Sequence, residues 1–110
     1  MNYNVSFNNR QVEKYVNALS NKEQVDFYRV LERMSIGKIE EVDTKKWRDK
    51  IFEVYFKNSN RLFYVIEKGV IFLIYACRKT KGKTTSKDAK NIMSFYKHHK
   101  KVMANSKGPN

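Results

Sequence analysis

A chain of 110 residues fits one compact domain and leaves no room for a second, so any active site must sit on a single small core. Hydrophobic residues at 41% and aromatics at 14% exclude a disordered chain, the lone Cys77 excludes an internal disulfide, and no Cys/His cluster has the spacing of a zinc site. The 23 Lys and Arg outweigh 11 Asp and Glu to give +12, and from Arg78 onward ten basic residues meet one acid, Asp88; that asymmetry favours a polyanionic partner, nucleic acid first, with a solvated lysine face or an anionic lipid as the plainer readings.

Met1 to Val5 lacks the charged segment and apolar stretch of a secretion signal, and no run approaches the roughly 18 apolar residues of a membrane span. A soluble protein of the reducing cytoplasm, with no membrane partner, is expected. Tyr3 to Phe7 read as a first strand, after which Asn8 and Asn9 supply helix-capping acceptors. Val12, Tyr15, Val16 and Leu19 recur at helical spacing. Ser20 and Glu23 form a capping box that opens a second helix with Val25 or Phe27, Val30, Leu31 and Met34 along its apolar stripe, ending near Gly37.

Lys38 to Asp49 mixes charges of both signs without periodicity and reads as a loop with a turn near Lys45 and Lys46. Three runs rich in β-branched and aromatic residues follow, Ile51 to Lys57, Arg61 to Glu67 and Val70 to Arg78, separated by connections short enough for antiparallel hairpins. After a Lys/Thr/Gly loop, Thr85 and Asp88 cap a last helix that turns Ala89, Ile92, Met93 and Tyr96 inward. The predicted order is β-α-α-β-β-β-α in one domain over residues 1–103, with 104–110 a frayed tail.

Side chains alternate along strands, so pairing Lys57 with Arg61 and Glu67 with Val70 sorts them into two faces. One carries Phe52, Val54, Phe56, Leu62, Tyr64, Ile66, Ile71, Leu73, Tyr75 and Cys77 and should take the helices. The other carries Glu53, Tyr55, Lys57, Arg61, Phe63, Val65, Phe72, Ile74 and Arg78, a cationic groove with aromatic surface for bases. Equally, Glu53 and Arg61 can be a simple cross-strand ion pair.

Trp47 to Val54 (WRDKIFEV), Asn60 to Val65 (NRLFYV), Val70 to Thr84 and the helix with Ala89 together resemble the RelE superfamily of bacterial toxins, above all its HigB-like, phage-associated branch. The resemblance implies an α+β fold of two N-terminal helices on a twisted, mainly antiparallel four-stranded sheet with a C-terminal helix. It further implies the toxin of a type II toxin–antitoxin system, an endoribonuclease (mRNA interferase) that cuts mRNA on the ribosome, inhibits translation, and is silenced by an antitoxin, often a helix-turn-helix protein encoded by the adjacent gene.

Such cleavage without metal or other cofactor has a 2′-OH attack the adjacent phosphorus, leaving a cyclic phosphate and a 5′-OH. It needs a base, cations for the phosphate oxygens and an acid for the leaving oxygen. Arg61, whose planar fork suits phosphate, matches the family's sheet arginine. Arg78, Lys79 and Lys81 stand where relatives place further cations, and Glu53 is the candidate base. Tyr55, Lys57, Lys45, Lys46 and Lys83 are candidate RNA contacts, although Lys45 and Lys46 fit a solvated loop as well. His98 and His99 are candidate general acids, with a helix-dipole contact as the plainer role. Tyr96 and Trp47 read as packing and Cys77 as an inert thiol. Two other readings stay open: a ParE-like DNA gyrase inhibitor of the same architecture, and a non-catalytic basic nucleic-acid-binding module.

Overall fold

The computed structural model describes residues 2–79 and 83–105. Its elements run β1 (Asn4–Phe7), α1 (Arg10–Asn17), α2 (Asn21–Ser35), a 3-10 turn (Ile39–Glu41), β2 (Asp43–Arg48), β3 (Ile51–Phe56), β4 (Asn60–Glu67), β5 (Val70–Arg78) and α3 (Ser86–Asn105). The architecture is α+β, as expected, but the sheet has five strands rather than four, in the order β1-β5-β4-β3-β2. Only β1, against β5, is parallel.

The fifth strand is β2, in the segment expected to be a loop. It pairs antiparallel with β3 at the sheet edge, and only Thr44 and Trp47 of its six residues are partly buried. An edge strand needs little apolar alternation, and its lysines discourage pairing with another chain. The same charges that hid the strand protect it.

Local chemistry sets the helix starts. Asn9 Oδ1 accepts from the Gln11 amide at 2.8 Å, the Ser20–Glu23 capping box closes in both directions, and Thr85 Oγ1 accepts from the Asp88 amide at 3.1 Å. The Lys68-Gly69 connection has both residues at positive φ (51° and 77°), the backbone of a type I′ turn whose twist suits a hairpin. The β3–β4 turn keeps its three residues but lies one residue earlier than expected: Phe56 pairs with Asn60 and Tyr55 with Arg61, a shift that keeps the same residues on each face.

A bulge in β5 changes the faces. Val70 to Leu73 pair with Glu67 to Tyr64 as predicted, but Phe63 then pairs with Tyr75, so Ile74 is the extra residue and everything beyond it is reversed. Tyr75 and Cys77 therefore join the Glu53 face, whereas Ala76 and Arg78 turn to the α1/α2 side.

Each face bears a core. On the first, Val12, Val16, Phe27, Val30, Leu31 and Met34 of the helical hairpin pack on Val54, Leu62, Tyr64, Ile71 and Leu73. Phe27 is the inward residue of the α2 stripe; Val25 is 70% exposed. The second face is not open, as expected, but half covered by α3, which buries Ile92 and Tyr96 against Ile51, Phe63, Val65 and Ile74. Each such fully buried aliphatic side chain contributes about 1.5–3 kcal/mol, which secures the helix on the sheet. α3 continues to Asn105, two residues into the expected tail, while 106–110 lie outside the described residues. No helix among the described residues is long and apolar enough to cross a membrane.

Candidate active site

Where α3 leaves the second face uncovered, the ends of β3, β4 and β5 bring charged side chains together. Glu53 and Arg61 project from neighbouring strands one pleat apart, and Arg61 Nη1 donates to Glu53 Oε2 at 3.0 Å. Both side chains are nearly buried. Lys45, the cross-strand partner of Glu53 on β2, holds its Nζ 3.5 Å from Glu53 Oε1, and the Tyr55 hydroxyl donates to the same oxygen at 3.4 Å. The Arg61 guanidinium lies 3.8 Å from the Tyr55 ring centroid, which fixes its plane, and Lys45 approaches that ring at 5.4 Å. Contacts with Tyr55 and the charge of Glu53 raise the Lys45 ammonium's pKa.

Lys79 follows β5 directly and is also nearly buried. Its amide donates to Ser59 O at 3.0 Å, extending the hairpin ladder beyond the strand. Burial, and then the positive charge of Arg61, hold its ammonium below the usual lysine range. Lys79, Glu53 and Lys45 line a pocket of about 270 Å³, walled by Trp47 and Arg48 of β2 and closed by Lys83, Thr84 and Ala89 at the start of α3. Trp47 stacks edge-on to Phe63 at 5.4 Å, so the expected packing role holds even as the ring forms part of the rim. Thr84 Oγ1 is buried with no hydrogen-bond partner among the described residues.

Other predicted site residues lie elsewhere. Arg78, reversed by the bulge, crosses to the opposite face and ion-pairs with Glu23 at 2.6 Å. Lys57 sits in the β3–β4 turn, with its amide bonded to Asp26 Oδ2 at 2.7 Å, and belongs to a separate pocket along α2. Lys46 is exposed opposite Phe52, on the α1/α2 side of the sheet. Lys83 is at the pocket; Lys81 lies outside the described residues. His98 is exposed on α3, and His99 is buried 2.8 Å from Glu67 and 4.6 Å from the Phe72 ring. Glu67 is six residues along β4 from Arg61, about 20 Å at the strand rise. Neither histidine is among the residues that line this pocket.

Two residues at the site were assigned to the wrong face by sequence reasoning. Tyr75 donates to Asp88 Oδ1 at 2.8 Å and its hydroxyl is pushed up to about 12 by burial. Cys77, opposite Arg61 in the ladder, is likewise pushed up to about 12, by burial and then by Asp88. Such a pKa favours the neutral thiol, and the residue lies on the face opposite to the one expected. The bulge responsible carries no glycine and leaves no mark in the sequence.

The arrangement gathers the cations Arg61, Lys79 and Lys45, one carboxylate and an aromatic wall around a cleft, a set suited to gripping a phosphodiester. No curated protein matches the chain. A family model described as phage-derived protein Gp49-like (DUF891) matches residues 14–97, which run from the second half of α1 into α3 and include every residue of the pocket. The chain belongs to the Gp49-like family of phage-derived proteins.

Proposed function

We propose that the protein is the toxin of a type II toxin–antitoxin pair and cleaves mRNA as an endoribonuclease of the RelE superfamily's HigB-like branch, acting on the ribosome. The observation that carries the reading is the Glu53–Arg61–Lys79–Lys45 cluster, buried on one side and open to a pocket on the other, in a member of the Gp49-like family. Arg61 and Lys45 bind the non-bridging phosphate oxygens and stabilise the charge that grows on them. Glu53 takes the proton of the 2′-OH as that oxygen attacks phosphorus. The bond from phosphorus to the 5′ oxygen breaks, and the Lys79 ammonium, made a stronger acid by burial and the charge of Arg61, gives the leaving oxygen a proton. The products are a 2′,3′-cyclic phosphate and a 5′-OH. Trp47 and Tyr55 offer faces for the flanking bases.

An antitoxin is the expected protein partner, with mRNA and the ribosome as substrate and platform in the cytoplasm. Primer extension on a translated mRNA in a purified translation mix tests the reading. Cuts within codons, with 5′-OH ends that accept phosphate from a polynucleotide kinase, are expected. Intact mRNA in a mix whose translation nonetheless stops would overturn the nuclease assignment.

A further inference from the structure

We propose that Glu23, Asn60 and Arg78 form a positioning anchor on the far face of the sheet that sets where Arg61, beside Glu53, and Lys79, in the pocket wall, stand; this rests on the RNA-cleavage reading. The placement begins with alternation. Asn60 precedes Arg61 and Arg78 precedes Lys79, and consecutive strand residues point to opposite faces. Asn60 and Arg78 are also cross-strand partners. Arg61 and Lys79, on the Glu53 side, thus each share a peptide bond with a residue that faces the helical hairpin.

On that side a single carboxylate gathers the two strands. Glu23 Oε2 accepts from Asn60 Nδ2 at 2.8 Å and from Arg78 Nη2 at 2.6 Å, while Glu23 Oε1 serves the α2 capping box through Ser20. Asn60 is fully buried; its amide also donates to Lys57 O at 2.7 Å, and its Oδ1 accepts from the Tyr15 hydroxyl. Capping α2 would need only the first oxygen of Glu23. The second is committed to the two strand ends.

Those ends need holding. β1 pairs with β5 only as far as Leu73, so the C-terminal half of β5 has a strand on one side alone. Side chains of the hairpin replace the missing strand: Asn9 Nδ2 donates to Ile74 O at 2.7 Å, Gln11 bonds both the amide and the carbonyl of Ala76, and Glu23 takes Arg78. Stability alone does not call for ionic side chains here, since apolar residues of similar volume often do as well or better behind a sheet. A network with fixed bond directions instead specifies position. Misplacement of a catalytic group by about 1 Å can cost on the order of 100-fold in rate.

The test compares the full chain with Glu23→Ala, Arg78→Ala, Arg78→Lys and the core variant Val30→Ala, chosen to lower stability without touching the network. Two readouts apply: the ¹H–¹⁵N signal of Arg61 Nε by NMR, and kcat and KM for mRNA cleavage in the purified translation mix. Glu23→Ala and Arg78→Ala should shift or broaden the Arg61 signal and lower kcat about 10- to 100-fold while KM changes by less than about threefold. Arg78→Lys should recover most of both, because the contact to Glu23 is made through one nitrogen. Val30→Ala should leave both near wild type. An unchanged Arg61 signal and kcat in the two alanine variants overturns the anchor, as does an equal loss in Val30→Ala. Should the wild-type chain cut no RNA, the nuclease reading falls while the Arg61 signal still decides the anchor.

Discussion

Arg61 Nη1 sits 3.0 Å from Glu53 Oε2 with both side chains almost wholly withdrawn from water, so the pair that would bind and activate RNA is also a buried ion pair of the fold. Removing one member of such a pair strands the other charge in a poorly solvated place. Arg61→Ala should therefore abolish cleavage and also destabilise the protein by about 3–5 kcal/mol, as read by urea denaturation. The double variant Glu53→Met with Arg61→Leu removes both charges together. It should regain most of the lost stability and remain inactive, and any cleavage by that variant would show that the pair is structural only.

Cys77 provides a second check on the pocket's electrostatics. Its thiol is pushed up to about 12 by burial and by Asp88, above an ordinary value near 9. A group whose folded pKa is raised contributes stability that is whole below the unfolded value and lost as pH rises above it. Native protein at pH 8 should react with iodoacetamide far more slowly than the urea-unfolded chain. Above pH 9 the wild type should lose stability more steeply than Cys77→Ala. Equal labelling of native and unfolded protein would show that Cys77 is open to solvent.

How much of this was legible in the residues depends on the range of the interaction. Asn9, Ser20 with Glu23, and Thr85 with Asp88 announce helix starts because the cap is a bond between near neighbours. The hairpins from β3 to β5 and the convergence of Glu53 with Arg61 follow from short connections and strict alternation. What failed was set at longer range. β2 is a strand because β3 offers it an open edge, and nothing in Asp43–Arg48 alternates strongly enough to say so. The bulge at Ile74 moved Arg78 from the site to the opposite face, where it meets Glu23, a residue the sequence marked only as a helix cap. His99 lies against Phe72 because α3 packs across the second face, a docking that periodicity alone does not orient.

Glu23 makes a prediction in acid. Hydrogen bonds from Asn60 and Ser20, with the charge of Arg78 adding to them, draw its carboxyl down to about 2 from an ordinary value of 4.5. A depressed carboxyl contributes stability that is complete above the unfolded value and is lost as pH falls toward the folded one. Wild-type stability should therefore decline between about pH 4.5 and 2, and Glu23→Gln, already without the charge, should decline less over the same window. Parallel acid-unfolding curves for the two proteins would mean that Glu23 is not held as described.

The remaining prediction separates the lysines by face. Lys45 and Lys83 line the pocket, whereas Lys46 stands on the other side of the sheet and Lys57 belongs to the pocket along α2. For single-stranded RNA each phosphate neutralised contributes about 0.7 to the slope of log K against log salt. With a non-cleavable 2′-deoxy oligonucleotide, Lys45→Ala and Lys83→Ala should each weaken binding and flatten that slope by about 0.7, because each removes one phosphate contact. Lys46→Ala and Lys57→Ala remove the same formal charge from the +12 total but no contact, so their slopes should match wild type within error. If all four variants flatten the slope equally, binding depends on overall charge rather than on the pocket. If only Lys46 and Lys57 matter, the nucleic acid lies along the α1/α2 side, and the Glu53–Arg61 pair is an element of the fold.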